Sequence, residues 1–355
     1  MIKDVFHPHF QTFSNLFKVS NGVRQGAVSS AILFAVYIDG LLELLKKSQL
    51  GCHIDSVFVG AFIFADDILL LSASRAGLQS LVDICNDFAS SCNLKFGTNV
   101  DASKSKTKCI VFSKRAKDSL NLAPILLDGQ KLPWVKKVTH LGCILDSDNS
   151  MKSDIANKRG KFIGKINSIL QEFHYASPEI LFKVISVYAT SFYGSSVWDL
   201  QSKNAEKLYT SWNIMIRNVF KLDRLTHRSL IEPLSGSCHL KTMLLSRYAK
   251  FYKELISSPK FTIRFLARLC ERDMRTVMGR TLGYIMEQCN IKQSDLDSIS
   301  PRMVKSTLTY VRKTEEDKWI TDLAVELMKA RNGKVEILGI SREEIDELFN
   351  FICTN

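Results

Sequence analysis

Two adjacent carboxylates, Asp66 and Asp67, stand between apolar runs, Val57-Phe58-Val59-Gly60-Ala61-Phe62-Ile63-Phe64 on one side and Ile68-Leu69-Leu70-Leu71 on the other. Runs this short, and rich in Val, Ile and Phe, read as strands. Ala65 to Ile68 then becomes the tight turn of a hairpin. A carboxylate among apolar strand residues is costly when nothing pairs with it. Two side by side either rise into water at the turn or hold something positive. Carboxylate oxygens suit Mg²⁺ and Mn²⁺. Taken alone, a solvated Asp-Asp turn is the simpler reading, and the rest of the chain has to decide.

Three further stretches could do chemistry. Asn21-Gly22-Val23-Arg24-Gln25-Gly26 joins two glycines to an arginine and an amide, and glycine lets backbone approach a ligand closely. Ser103-Lys104-Ser105-Lys106-Thr107-Lys108 reads either as a solvated basic turn or as an anion contact. Val138-Thr139-His140-Leu141-Gly142-Cys143-Ile144-Leu145 reads as one strand with a glycine kink, and His140 as a packing residue of it. Further on, Trp212, Arg217, Arg224, His227 and Arg228 bring aromatic and basic residues together. That mixture can stack on bases and contact phosphates. A core tryptophan with exposed arginines explains it equally well.

Phe64-Ala65-Asp66-Asp67 between apolar strands resembles the metal-binding hairpin of reverse transcriptases. The block from Asn21 to Gly26 resembles a second motif of the same family, in the right order and at a fitting separation. The chain as a whole looks like the carboxyl-terminal part of a LINE-class reverse transcriptase, the enzyme of non-LTR retrotransposons. The likeness is specific over 16–150, general over 151–280, and positional beyond. It implies RNA-directed DNA polymerisation, with Asp66 and Asp67 as metal ligands and Mg²⁺ or Mn²⁺ as cofactor, two ions in the intact enzyme. It implies that Arg24, Gln25 and Gly26 lie against template and nucleotide, and that Lys104 stands near the triphosphate (Lys106 is the alternative). It also implies that His140, Leu141 and Gly142 form a primer grip. The partners implied are an RNA template, a DNA primer and deoxynucleoside triphosphates. Ser30-Ala31 departs from the family's usual Ser-Pro and loses a rigid first helical residue. Fingers and the palm strand with the first catalytic aspartate are expected to lie outside this chain, since Asp4 is the only acid before Gly22. An upstream fingers and palm segment is therefore expected to be needed for activity.

The elements that must position these residues follow from periodicity. A helix over 30–47 is apolar nearly all round in its first half and should be buried. An amphipathic helix over 75–92 puts Leu78, Leu81, Val82, Cys85, Phe88 and Ala89 on one face. A strand follows at 109–112, then a hairpin over 125–134 around Asp128-Gly129. An edge strand is expected between Phe13 and Val19. Beyond 148 helical periods dominate, over 151–173, 178–199, 204–221, 240–257, 260–277 and 301–330. The fold class expected is α+β: a partial right-hand polymerase palm, an antiparallel sheet with packed helices, over 1–150. A helical thumb over 151–200 and a helical carboxyl-terminal region over 201–355 follow.

Composition sets the remaining bounds. The 355 residues carry a net charge of +12. Residues 151–280 hold 22 basic and 10 acidic side chains, against 16 and 13 in 1–150 and 10 and 13 in 281–355. A basic excess confined to one third fits a surface that tracks phosphates. The nine cysteines are odd in number and form no CxxC pair. Reduced thiols in an intracellular protein fit better than a disulfide framework or a zinc finger, and nucleus and cytoplasm are not distinguished. No signal peptide or apolar run of membrane-spanning length is present, so no membrane partner is expected. The second reading is a non-catalytic RNA- or DNA-binding protein derived from such an element. The third is a metal-dependent nuclease, which His53, the only histidine within twenty residues of the pair, supports poorly.

Overall fold

The computed structural model describes residues 2–3, 6–7, 12–13, 17–18, 29–99, 101, 104–113, 122–224, 226, 228, 231 and 239–331. The chain divides into two compact units, Met1–Lys136 and Lys137–Asn355.

In the first unit, strand β1 (Ile2–Lys3) pairs antiparallel with β4 (Phe17–Lys18), and β2 (Phe6–His7) with β3 (Thr12–Phe13). β4 falls in the expected edge strand, and its partner is local. Helix α1 runs over Ser30–Lys47, followed by β5 (His53–Ile54), β6 (Val57–Phe58), β7 (Ala61–Phe64) and β8 (Asp67–Leu70). β7 and β8 form the expected hairpin, in register Ala61 to Leu70 and Phe64 to Asp67. Helix α2 (Arg75–Ser91) starts at Ser74, whose hydroxyl accepts from the Gly77 amide at 3.0 Å. Its buried stripe is Leu81, Val82, Cys85 and Ala89, as the periodicity predicts. β9 (Cys109–Ile110) pairs parallel with β12 (Trp134–Val135), and β10 (Ile125–Leu127) pairs antiparallel with β11 (Gln130–Leu132). The turn between the last pair uses Asp128 (φ 49°) and Gly129 (φ 72°), the double left-handed geometry that Asp-Gly favours. Among the described residues every sheet is two-stranded, six antiparallel and one parallel.

Two small cores hold this unit together. Ile38, Leu41 and Leu45 of α1 meet Ala61 of β7 and Leu81 and Cys85 of α2. On the other side of α2, Val82 packs with Cys109, Ile125, Leu127 and Leu132. Gln79 fastens the second core: its amide donates to the Leu126 carbonyl and accepts from the Leu126 amide, both at 2.8 Å. The first half of α1 is a correction to the sequence reading. Ile32, Leu33, Val36 and Tyr37 are exposed, Val36 by 71%. Among the described residues only the face toward β7 and α2 finds a partner in this unit, so an all-round apolar helix is covered there on one side.

The second unit opens with β13 (Lys137–His140) and β14 (Cys143–Asp146), an antiparallel hairpin. Among the described residues seven α-helices of defined bounds follow: α3 (Lys152–Glu172), α4 (Pro178–Tyr188), α5 (Lys203–Phe220), α6 (Leu240–Ile256), α7 (Phe261–Arg272), α8 (Val277–Cys289) and α9 (Pro301–Arg331). Their large buried side chains include Phe162, Trp198, Trp212, Tyr248 and Tyr252. The sequence reading differs in three places. The stretch 138–145 is a hairpin rather than one kinked strand, because Leu141 (φ 45°) and Gly142 (φ 75°) reverse the chain. α4 ends at Tyr188, eleven residues before the expected 199. The helix expected over 260–277 stops at Arg272; Asp273 accepts from the Arg275 amide, Thr276 caps a new helix at Gly279, and α8 begins.

Candidate active-site hairpin and nucleic-acid surface

The β7–β8 turn is made by Ala65 and Asp66, and Asp67 is the first residue of β8. Ala65 has φ 51°, while Asp66 has no left-handed backbone. Positive φ at the first turn position alone is the type II′ pattern, where glycine is the usual residue. Both carboxylates are exposed, and neither has a hydrogen-bond or ion-pair partner among the described residues. Two hard oxygen donors, open to solvent and free of internal partners, suit a divalent cation. Among the described residues no group of three His, Cys, Asp or Glu side chains gathers around a common point.

Arg24, Gln25 and Gly26 lie outside the described residues. Lys104 stands exposed in a short turn where the amides of Lys104 and Ser105 both donate to the Asp101 carbonyl, at 3.0 and 2.9 Å. Ser105 is buried beneath it, donating to the Thr107 carbonyl at 2.6 Å. The turn thus has a fixed base, and Lys104 projects from it. Lys106 is exposed too. Two nearby thiols are inert: burial pushes Cys85 up to about 12 and Cys109 up to about 11, so neither is nucleophilic at neutral pH.

His140, Leu141 and Gly142 sit together at the β13–β14 turn, in the second unit. An acid that the sequence did not single out holds that turn. Asp154 of α3 is fully buried and accepts from the Ile144 amide at 3.0 Å and from Trp198 Nε1 at 2.8 Å. Lys158, one helical turn on, approaches the same carboxylate at 3.4 Å and donates to the Gly142 carbonyl at 2.7 Å. At the far end of β14, the buried carboxylate of Asp146 accepts from the Ser153 amide at 2.8 Å, at the start of α3. A negative charge there also suits the helix dipole. Tyr193, 62% exposed, lies against the turn: a Cβ on Gly142 would come within 3.3 Å of its ring. Lys158 Nζ lies 5.8 Å from the centre of that ring. Gly194 (φ 83°) follows, and a Cβ there would meet Cys143 Sγ at 2.5 Å. Burial chiefly, then the Asp154 charge, raises the Cys143 pKa. Asp154, Lys158 and Tyr193 were missed because their partnership joins distant residues, 44 apart for Asp154 and Trp198, and leaves no local pattern.

Of the aromatic and basic cluster, Trp212 is 1% exposed and packs against Phe162 and Phe182 at 6.1 and 5.9 Å. It is a core residue rather than a stacking platform. Arg217 donates to the Thr226 carbonyl at 2.8 Å, and Arg224 and Arg228 are exposed. His227 lies outside the described residues. Among the described residues, no helix is long and apolar enough to cross a membrane.

The hairpin with its paired carboxylates falls within residues 1–145, which match the family described as reverse transcriptase (RNA-dependent DNA polymerase). That stretch belongs to the reverse transcriptase family. An 86-residue segment is 38% identical to the Retrovirus-related Pol polyprotein from type-2 retrotransposable element R2DM of Drosophila melanogaster, covering 24% of this chain and 8% of that protein. A 61-residue segment is 39% identical to the Retrovirus-related Pol polyprotein from type-1 retrotransposable element R2 of Nasonia vitripennis, covering 17% and 6%. The match over 1–145 and these two relatives support a reverse transcriptase part of the non-LTR retrotransposon kind in that stretch, and the chain has an α+β fold. The matched segments span less than a tenth of either relative. The family uses divalent metal ions and acts on nucleic-acid template and primer with nucleotide substrates.

Proposed function

We propose that this chain supplies the metal-bearing hairpin and the primer-holding surface of an RNA-directed DNA polymerase, acting on an RNA template and a DNA primer. The observation that carries the reading is the exposed pair Asp66 and Asp67, without a partner among the described residues, at the turn of an apolar hairpin. These carboxylates would hold Mg²⁺ or Mn²⁺, as one of two ions, which would neutralise charge developing on the reacting phosphates. Asp66 would be the direct ligand, with Asp67 beside it. Lys104, exposed on its anchored turn, would meet triphosphate oxygens. Arg24, Gln25 and Gly26 contact template and nucleotide. In the second unit, the turn of His140, Leu141 and Gly142, fixed from beneath by Asp154 and Lys158, holds the primer end. Tyr193 offers it an aromatic face.

The nucleic-acid part is tested by binding. The full 355-residue chain should bind a labelled RNA–DNA template–primer, with affinity falling linearly against salt on a log–log scale as phosphate contacts release counterions. A flat salt dependence would remove the basis for a phosphate-tracking surface. The second reading, a non-catalytic binding protein derived from such an element, predicts the same binding. It is favoured by the basic excess of residues 151–280, 22 against 10.

A further inference from the structure

The second unit encloses a cleft of about 410 Å³ that the reading above does not use. Arg217 of α5, Arg228 beyond it, Lys241 at the start of α6 and Arg312 of α9 all line it, against one carboxylate, Glu206. Arg217, Arg228 and Lys241 repel one another around one small space unless something negative enters. Among the described residues, Arg217, Arg228 and Lys241 have no carboxylate within ion-pair reach. Arg217 is half-buried, and its Nε is enclosed without an acceptor. Lys241 is held in place by neutral groups, donating to Gln201 Oε1 at 3.0 Å and lying 4.5 Å from the centre of the Tyr284 ring.

The cleft is built for an anion in two other respects. His239 caps α6, accepting from the Lys241 amide at 3.2 Å. Burial first, and then Arg312, Lys241 and Arg228, hold its pKa down at about 3, so the ring stays neutral and keeps that acceptor at neutral pH. The first turn of α6 carries no acidic residue, so its positive dipole end is not cancelled locally. The rest of the lining includes Thr210 and Asn213, neutral groups able to hydrogen-bond a sugar or base edge. The volume lies in the range of sites for nucleotide-sized ligands.

We propose that this cleft binds a phosphate group of a single RNA or DNA strand. The inference rests on the nucleic-acid reading above and adds a defined subsite to it, remote in sequence from the hairpin turn at 140–142. Arg217 supplies a fixed, half-buried donor, and Arg228 and Lys241 supply further positive charge along the lining.

The test is binding of a labelled single-stranded RNA 12-mer to the full chain, over a salt series, in wild type and in R228Q/K241Q. The double variant should bind about tenfold more weakly, and its log–log salt slope should be shallower by about 1.4, for two phosphate contacts on a single strand. The comparison variant, K253Q/K292Q, removes two exposed lysines elsewhere in the unit and should lose less than about threefold. Should R228Q/K241Q melt early, R228Q alone, at an exposed residue, repeats the measurement. Equal losses in the two double variants, or none in R228Q/K241Q, would overturn the subsite while leaving nucleic-acid binding intact. No RNA binding by wild type at low salt would overturn the nucleic-acid reading itself. Displacement of the RNA by micromolar inorganic phosphate would assign the cleft to a free anion and overturn the strand.

Discussion

Ala65 shows how the chain spends conformational energy beside the carboxylates. Its φ of 51° puts a Cβ where only glycine is comfortable, at a cost of about 1 kcal/mol. The residue that bears that strain directly precedes Asp66, and backbone strain of this kind gathers at functional sites. Ala65→Gly removes the Cβ from the left-handed position, so it should stabilise the folded hairpin by about 0.5–1 kcal/mol, less what the more flexible unfolded chain takes back. Urea unfolding of the full chain measures it. A lower midpoint in the variant would show that Ala65 is not held in this conformation. Asp66 and Asp67 were legible as a pair because charge inside an apolar run is rare enough to demand a reason. Their exposure at the turn was one of the two readings left open; that no described residue pairs with them is what the fold adds.

At the scale of elements, hairpins and helices whose signals are local came through. Asp128-Gly129 turns where an Asp-Gly pair should, and α1, α2, α3, α5, α6 and α9 begin and end within a residue or two of their periodic patterns. What failed were junctions decided by distant contacts. Leu141-Gly142 reads as a kink until the pairing of β13 with β14 is seen. The break between α7 and α8 has no proline; it is made by an aspartate turn and a threonine cap. The burial of α1 failed because periodicity gives how apolar a face is, while the neighbours available decide whether it is covered. The Asp154 linkage is the clearest case of a site feature without a local signal. One buried carboxylate joins β14, Trp198 and Lys158, and Lys158 reaches the turn. Asp154→Leu should destabilise the second unit by about 3 kcal/mol, because Lys158 loses its counter-charge and two buried donors lose their acceptor. Asp154→Asn keeps one acceptor oxygen and should cost about half of that. Thermal unfolding of the full chain distinguishes them, and equal, small losses in both would mean that the carboxylate does not carry the turn.

At the scale of the molecule, the two expected chemistries fall in different units: the paired carboxylates in Met1–Lys136, the turn at 140–142 and the basic excess in Lys137–Asn355. Two-metal nucleotidyl transfer needs carboxylates that bridge both ions. Asp66 and Asp67 are neighbours on one hairpin, and one hairpin presents one well-directed carboxylate and a second at another angle. Among the described residues no third metal-binding side chain joins them. The 355-residue chain on its own is therefore expected to bind template–primer without extending it. Primer extension on an RNA template with Mg²⁺ or Mn²⁺ should stay at background. Activity should appear when a palm segment bearing a further aspartate strand is supplied, fused or in trans, and should vanish again with Asp66→Ala. Robust extension by the chain alone, abolished by Asp66→Ala, would show that an acid already within these 355 residues completes the site. Extension that survives Asp66→Ala in the supplemented assay would remove the hairpin from the chemistry altogether, and leave the basic helical unit as what this chain contributes.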